Sequence, residues 1–137
     1  MQWTLLNIVR KMPSLQALIL SPTRELAIQI VGDLTEYSKH LKGMNVVAVY
    51  GGASISMQIK ELRRGAQIVV GTPGRVLDMI NKGALKLQSI KYLVLDEADE
   101  MLNMGFKEDL DFILSGTPPE KRTLLFSATM PSDIARI

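Results

Sequence analysis

Three carboxylates within four residues are the part of this sequence best suited to chemistry. Asp96, Glu97 and Asp99 directly follow the apolar run at residues 92–95. Such a run is typical of a buried parallel strand, and open α/β sheets bind ligands at the carboxyl ends of their strands. There, one carboxylate can hold Mg²⁺ with water and substrate phosphates, while its neighbour takes a proton from an attacking water. The alternative is a solvated acidic loop after a strand.

The composition excludes other kinds of site. The 137 residues contain no Cys and a single His, His40, which rules out disulfides, thiolate metal sites and a zinc site built from histidines. This length suits one domain with a real core. No signal peptide and no apolar run of the ~20 residues needed to span a membrane are visible, so we expect a soluble, cytoplasmic protein.

Charge is unevenly distributed along the chain. Lys and Arg outnumber Asp and Glu by 8 to 4 in residues 1–70, whereas the ratio is 8 to 10 in residues 71–137. A basic half beside an acidic half suits a protein that meets both a polyanion and a metal, and ordinary surface charge explains it equally well.

Short apolar runs alternate along the sequence with stretches of helical spacing, and the strands and helices that they predict must position the acidic residues. The runs predict strands at residues 15–20, 45–50, 66–70, 90–95 and 122–126, and the stretches between them show helical spacing, as does the segment 2–12. One helix is expected to start with Ser21 as its cap and to bear an apolar stripe that includes Leu34 and Tyr37. The alternation predicts an α/β fold, a parallel sheet with helices on both faces, whose strands all end at one edge.

Two of these strands are followed by the pattern [Ser/Thr]-Pro-x-Arg, at residues 21–24 and 72–75. A helix N-terminus with free N–H groups and an arginine in its first turn forms an anion site. Two such sites side by side favour a nucleic-acid backbone as ligand. Well-capped helices whose arginines, Arg24 and Arg75, pair with nearby acids are the alternative.

Glycines and hydroxyls follow two other strands. Gly51 and Gly52 allow close approach of a phosphate or sugar, or form a plain turn. Ser127 and Thr129 place two hydroxyls where they can hydrogen-bond the acids of residues 96–99, although ordinary capping would also explain them.

Taken together and in this order, these residues resemble the DEAD-box RNA helicases. The resemblance covers residues 22–27 as motif Ia, the doublet 51–52, residues 72–75 as motif Ib, residues 96–99 as motif II and residues 127–129 as motif III. It implies that residues 1–137 form the middle and end of the family's first, N-terminal RecA-like domain, a fold of the P-loop NTPase class.

The resemblance also implies a role for each matching residue. Asp96 would hold Mg²⁺, and Glu97 would polarise the water that attacks the γ-phosphate of ATP. Asp99 would bond to Ser127 and Thr129 and so link the nucleotide site to RNA binding. The residues that would hold the sugar-phosphate backbone of one RNA strand, without reading its sequence, are Thr23, Arg24, Gly51, Gly52, Thr72, Gly74 and Arg75.

The family also has parts that do not occur in this sequence. No G-x-x-x-x-G-K-[S/T] phosphate loop is present. The resemblance places that loop and the adenine-reading motif before residue 1, and a second RecA-like domain after residue 137. We therefore expect a fragment of an ATP-dependent RNA helicase that is inactive alone. In the family, the strand that leads into the phosphate loop lies in the middle of the sheet. Its absence would leave strand edges or an apolar gap near Val94 and Leu125, which favours self-association or marginal stability.

Two other functions stay open at this point. The chain could be a non-catalytic RNA-binding or partner-binding module. It could also belong to a DNA helicase or translocase of the same superfamily, although Asp99 together with Ser127 and Thr129 favours the RNA branch.

Overall fold

Strands and helices alternate along the described part of the chain. The computed structural model describes residues 14–135, so the helix predicted at residues 2–12 lies outside the described residues. The strands are β1 (Ala17–Leu20), β2 (Val46–Val49), β3 (Ile68–Gly71), β4 (Tyr92–Leu95) and β5 (Arg122–Leu125), and the helices are α1 (Arg24–Tyr37), α2 (Ile55–Arg63), α3 (Pro73–Asn81), α4 (Ala98–Asn103), α5 (Lys107–Gly116) and α6 (Ser132–Ala135).

The five strands form one sheet in the order β2-β3-β1-β4-β5. Every pair is parallel, as predicted. In the central strand, Leu20 is level with Gly71 of β3 and with Leu95 of β4. The segments that follow the strands therefore leave from one side of the sheet, which we call the carboxyl edge.

Both faces of the sheet are covered, which explains why its inner strands are apolar without alternation. On one face, side chains such as Leu18 and Leu93 pack in a large cluster with residues of α2 to α6. On the other face, Ile19 packs beneath α1 through Ala27 and Leu34. Burial of each such leucine or isoleucine stabilises the fold by about 1.5–3 kcal/mol. The prediction of helices on both faces is confirmed.

The start of α1 differs from the prediction. Thr23 is its N-cap, because the Thr23 Oγ1 accepts a hydrogen bond of 3.2 Å from the Leu26 N–H. The predicted cap, Ser21, is wrong: Ser21 is fully buried, and its hydroxyl donates to the Thr23 carbonyl at 3.4 Å. Pro22 therefore precedes the cap. Tyr37 is 47% exposed, so the buried stripe of α1 does not extend to it.

The segment after the acidic residues forms two helices. The helix expected from the helical spacing between the fourth and fifth predicted strands is α5, whose buried residues are Leu110 and Ile113. The shorter α4 comes before it and was not predicted. The chain turns between them at Gly105, whose φ of 89° is available to glycine without strain, and the Phe106 N–H donates to the Met101 carbonyl at 3.1 Å across this turn.

β5 is the outer strand of the described sheet beside β4. Arg122 and Thr123 are exposed, while Leu124 and Leu125 are half-buried. The predicted open edge near Leu125 is thus present within residues 14–135. Val94, by contrast, lies on an inner strand and is buried, so the predicted gap beside it is wrong. None of the helices in this range is long and apolar enough to traverse a bilayer.

Candidate functional site

The first two acidic residues lie at the tip of β4, on the carboxyl edge. The Asp96 N–H donates to the Leu20 carbonyl of β1 at 2.9 Å, which continues the sheet by one hydrogen bond. Asp96 is half-buried. Glu97 is exposed and has φ 51° and ψ 52°, the only non-glycine residue with positive φ in the described range. The Ala98 N–H then donates to the Phe126 carbonyl at 3.0 Å, at the start of α4.

The backbone at Glu97 is strained. A left-handed conformation at a residue other than glycine is uncommon and costs on the order of 1–3 kcal/mol. This left-handed conformation turns the chain within one residue, between the tip of β4 and the first turn of α4. As a result, two adjacent carboxylates occupy the same edge of the sheet, one half-buried and one exposed.

The carboxylates at this edge would suit Mg²⁺ better than a metal that the protein encloses by itself. Residues 14–135 contain no group of three or more His, Cys, Asp or Glu side chains that could enclose a metal. Mg²⁺ is commonly bound by one or two carboxylates, with water and substrate phosphates completing its shell. Asp96 could supply such a carboxylate. Neither Asp96 nor Glu97 uses its carboxylate in a hydrogen bond or ion pair with the described residues, so both are available to a ligand or water.

Asp99 is connected to the segment that follows β5. Its Oδ2 accepts hydrogen bonds from the Thr129 N–H at 3.1 Å and from the Thr129 hydroxyl at 3.0 Å. The Asp99 N–H donates to the Ser127 Oγ at 3.2 Å, and the Ser127 hydroxyl donates in turn to the Thr129 carbonyl. The predicted contact between these three residues is therefore present in the geometry.

These hydrogen bonds change the titration of Asp99. Partial burial raises its pKa, but hydrogen bonds from the Thr129 hydroxyl and from the N–H groups of Glu100 and Thr129, with the polar Ser127 side chain beside them, outweigh burial. The net result is a pKa for Asp99 below its ordinary value. The ionised carboxylate of Asp99 is therefore favoured, and this is the form that accepts the hydrogen bonds from Thr129.

Farther along the carboxyl edge, Arg24 lies beside the glycine doublet. Its guanidinium carbon is 5.6 Å from the centre of the Tyr50 ring, a cation–π distance. A Cβ atom on Gly52, whose φ is 83°, would lie 3.1 Å from the Arg24 Nη1. The ion pair of Arg24 with Glu25 is long, at 3.8 Å, and solvent-exposed, so it holds the arginine weakly. The structure thus brings Thr23-Arg24 next to Gly51-Gly52.

Arg75 reaches the same loop from the other side. Its Nη1 donates to the Ala53 carbonyl at 3.2 Å and to the Gln58 Oε1 at 2.9 Å. Among the described residues it has no acidic partner, so the alternative of an ion-paired arginine does not hold here. Thr72 precedes α3 but its side chain makes no capping hydrogen bond, and space around Gly74 is open.

Sequence reasoning missed two residues of this site. Gln58 is 7% exposed and touches both the loop and Arg75; its spacing from Ile55 and Leu62, on the buried face of α2, was the available signal. Gly71 is crowded by Val49 and Val76, and a glycine within an otherwise apolar strand is the pattern that marks such close approach.

Comparison with known proteins shows which family this sequence matches. A family model described as DEAD/DEAH box helicase matches residues 1–137. The "ATP-dependent RNA helicase DeaD" of Klebsiella pneumoniae is 54% identical over 131 residues, which cover 96% of this chain and 20% of that protein. The "ATP-dependent RNA helicase CshA" of Listeria monocytogenes is 58% identical over 133 residues, 96% of this chain and 25% of that protein. The chain therefore spans a fifth to a quarter of the length of these relatives.

Solved structures show the same fold. A DEAD box protein from the hyperthermophile Methanococcus jannaschii superposes with a TM-score of 0.89 at 52% identity, covering 96% of this chain and 36% of that one. A hypothetical ATP-dependent RNA helicase from Sulfolobus tokodaii gives 0.88 at 38% identity, covering 98% and 39%. The RecA-like fold expected from the sequence is confirmed. Because the family model matches residues 1–137, the chain belongs to the DEAD/DEAH box helicase family.

Proposed function

We propose that this chain is part of an ATP-dependent RNA helicase, a cytoplasmic enzyme that hydrolyses ATP to unwind or remodel RNA duplexes. The observation that carries the proposal is the layout of the carboxyl edge. The acids Asp96 and Glu97 lie at the tip of β4, while Arg24 and Arg75 flank one glycine loop along the same edge. The names of the relatives, all RNA helicases, favour RNA over DNA as the substrate.

In this proposal residues 1–137 form part of the N-terminal RecA-like domain and work with a second RecA-like domain. Relatives in which such a chain makes up only a fifth to a quarter of the length support this organisation. Phosphoryl transfer depends on positioning and charge stabilisation supplied from several segments at once. The activity would thus belong to the longer protein.

The acidic pair would handle the nucleotide. Asp96 is assigned to Mg²⁺, which when bound with ATP would neutralise charge on the phosphates. Glu97 is assigned to the attacking water, because its carboxylate is exposed and without partners among the described residues. Asp99, with Ser127 and Thr129, would keep this end of the site joined to the segment after β5.

A charge-neutral substitution tests the role of Glu97. In the full-length protein, Glu97→Gln should leave ATP binding intact and lower the rate of hydrolysis by about 10²–10⁴-fold, the range for loss of a general base. Glu100→Gln is the matched control, since Glu100 is exposed in the first turn of α4, three residues after Glu97. Turnover near the wild-type rate in Glu97→Gln would remove Glu97 from its role.

The basic half of the edge would hold RNA. Thr23, Arg24, Gly51, Gly52, Thr72, Gly74 and Arg75 are assigned to the sugar-phosphate backbone of one strand. Such binding is independent of base sequence and weakens with salt. Arg75→Met should lower affinity for single-stranded RNA in fluorescence anisotropy and reduce the salt slope by about 0.7, one phosphate contact. Arg122→Met, an exposed arginine at the opposite end of the sheet, should change neither.

For the 137-residue chain on its own, we propose RNA binding without turnover. The absence of a phosphate-loop sequence from residues 1–137 favours this second function. The chain should bind RNA weakly in the same assay and release no phosphate from ATP when RNA is added. A clear RNA-stimulated ATPase rate from the chain alone would show that its own residues suffice for the chemistry.

A further inference from the structure

Gln58 is a buried side chain that neither the acidic pair nor the proposed RNA contacts include. Its Nε2 donates to the Tyr50 carbonyl at 3.1 Å, and its Oε1 accepts from the Tyr50 N–H at 3.3 Å. Tyr50 directly follows β2, an outer strand of the described sheet. The side-chain amide has an oxygen that accepts hydrogen bonds and an NH₂ group that donates them, so it can pair with both the N–H and the carbonyl of one residue. Gln58 therefore supplies to Tyr50 the pair of hydrogen bonds that a further strand would otherwise provide.

The same amide oxygen also holds Arg75. The Arg75 Nη1 carries two hydrogens, and it donates to the Gln58 Oε1 and to the Ala53 carbonyl. The Nε and Nη2 groups make no hydrogen bond within residues 14–135. A guanidinium binds a phosphate best through two parallel N–H groups. Gln58 and Ala53 thus take both hydrogens of Nη1, and the one hydrogen of Nε and the two of Nη2 remain as donors for a ligand.

The loop from Tyr50 to Ala53 is consequently held at both ends. Gln58 fixes its first residue, Arg75 its last, and Arg24 lies over the Tyr50 ring. This loop contains Gly51 and Gly52, which are exposed and have no side chain to anchor them. Without the Gln58 side chain, Arg75 would keep only its hydrogen bond to the Ala53 carbonyl. The backbone N–H and carbonyl of Tyr50 would both lose the hydrogen bonds that they make to Gln58.

We propose that Gln58 is a positioning residue for RNA binding, which rests on the function proposed above. Its amide joins the glycine loop to Arg75, so that both are presented to an RNA backbone as one preformed surface. Preformed groups bind more tightly because no ordering is needed when the ligand arrives. A buried amide that only stabilises the fold is the competing explanation.

The test uses the full-length protein encoded by the reading frame that carries this chain. Gln58→Met keeps the length of the side chain and removes all three hydrogen bonds. We expect the affinity for a labelled single-stranded RNA to fall by about tenfold, comparable with the loss of a hydrogen bond to a charged group. Gln88→Met is the control, since Gln88 is exposed before β4 at the opposite end of the sheet. It should bind RNA as the wild type does.

A double-mutant cycle separates positioning from stability. If Gln58 acts through Arg75, then Gln58→Met combined with Arg75→Met should bind RNA only slightly more weakly than Arg75→Met alone. Hydrogen exchange measured by mass spectrometry should become faster in residues 50–54 of Gln58→Met and stay unchanged in Gln88→Met. Additive losses of affinity, or wild-type affinity in a folded Gln58→Met protein, would overturn the inference.

A second variant covers the case in which Gln58→Met does not fold. Gln58→Glu retains the oxygen that holds Arg75 but pairs it with a negative charge, so RNA affinity should fall and the salt slope should decrease by about 0.7. An unchanged slope would count against the coupling of Gln58 to Arg75. Wild-type protein that binds no RNA at all would instead refute the proposed function, so the two failures are distinguishable.

Discussion

Gly71, the last residue of β3, gives a sharp test of how the carboxyl edge is packed. A Cβ atom added there would lie 2.6 Å from the Val49 Cγ2 and 2.8 Å from the Val49 carbonyl oxygen, and would also collide with the Val76 side chain. Both valines are fully buried. The Val49 carbonyl accepts a hydrogen bond of 3.1 Å from the Thr72 N–H. Gly71→Ala must therefore displace the backbone as well as side chains.

The expected size of the effect follows from these contacts. Overpacking of a closed core costs about 1–3 kcal/mol, and weakening the hydrogen bond from Thr72 adds about 0.5–1.5 kcal/mol. We expect Gly71→Ala to lower the free energy of unfolding by about 2–4 kcal/mol. Because domains of this size are stable by only about 5–15 kcal/mol, the loss is a large fraction of the total. Urea denaturation followed by far-UV circular dichroism measures it.

Gly32 provides a control of opposite sign. It is exposed within α1, and a Cβ there would meet no atom within 4 Å. Gly32→Ala should raise the free energy of unfolding by about 0.5–1 kcal/mol, since alanine favours a helix over glycine. Ordinary surface substitutions change the free energy of unfolding by up to about 0.5 kcal/mol. If the free energy of unfolding of Gly71→Ala lies within that range of the wild-type value, the packing argument is refuted.

Three further expectations concern other parts of the structure. Thr23→Ala should destabilise the chain by about 1 kcal/mol in the same urea assay because a capping hydrogen bond is lost, whereas Thr72→Ala should cost less since its hydroxyl caps nothing; equal losses would contradict this. Thr129→Val should raise the pKa of Asp99 in a carboxyl NMR titration, with Thr35→Val as control, and an unmoved pKa would refute the assigned hydrogen bonds. Since that pKa is lowered on folding, Asp99 contributes stability above the unfolded pKa of about 3.9 and loses it as pH falls through the folded value, so the difference between Thr129→Val and wild type should shrink in acid. Self-association through the open edge of β5 should appear in light scattering and decrease in Thr123→Lys, and a monodisperse wild-type chain that melts cooperatively would count against it.

The parallel sheet was predictable because its signals are local. Each inner strand is a short apolar run, and residues typical of turns follow it, so the order of elements can be read along the chain. Once the strands are parallel, the residues after them must share one edge. That is why the sequence alone predicts that Asp96, Arg24 and Arg75 lie at the same edge of the sheet.

The errors and omissions have a different origin, since they depend on contacts between distant segments. Ser21 and Thr23 can both cap a helix, and the choice was decided by Ser21 remaining in the sheet, where its N–H donates to the Gly71 carbonyl at 3.0 Å. Likewise, Gln58 has a partner in Tyr50 because β2 is an outer strand. No spacing along the sequence carries the order of strands across the sheet.

Different hydrogen bonds hold the residues of the acidic segment, so a substitution elsewhere in the sheet should not displace all of them equally. Asp96 is tied through its N–H to Leu20, on the central strand, whereas Asp99 is tied to Thr129, on the segment after the outer strand. Glu97 lies between these two supports in a left-handed conformation. A substitution that disturbs β5 should therefore move Asp99 more than Asp96, because inner strands are held by neighbours on both sides. The three carboxylates form one sequence motif, but the fold holds them by two independent sets of contacts.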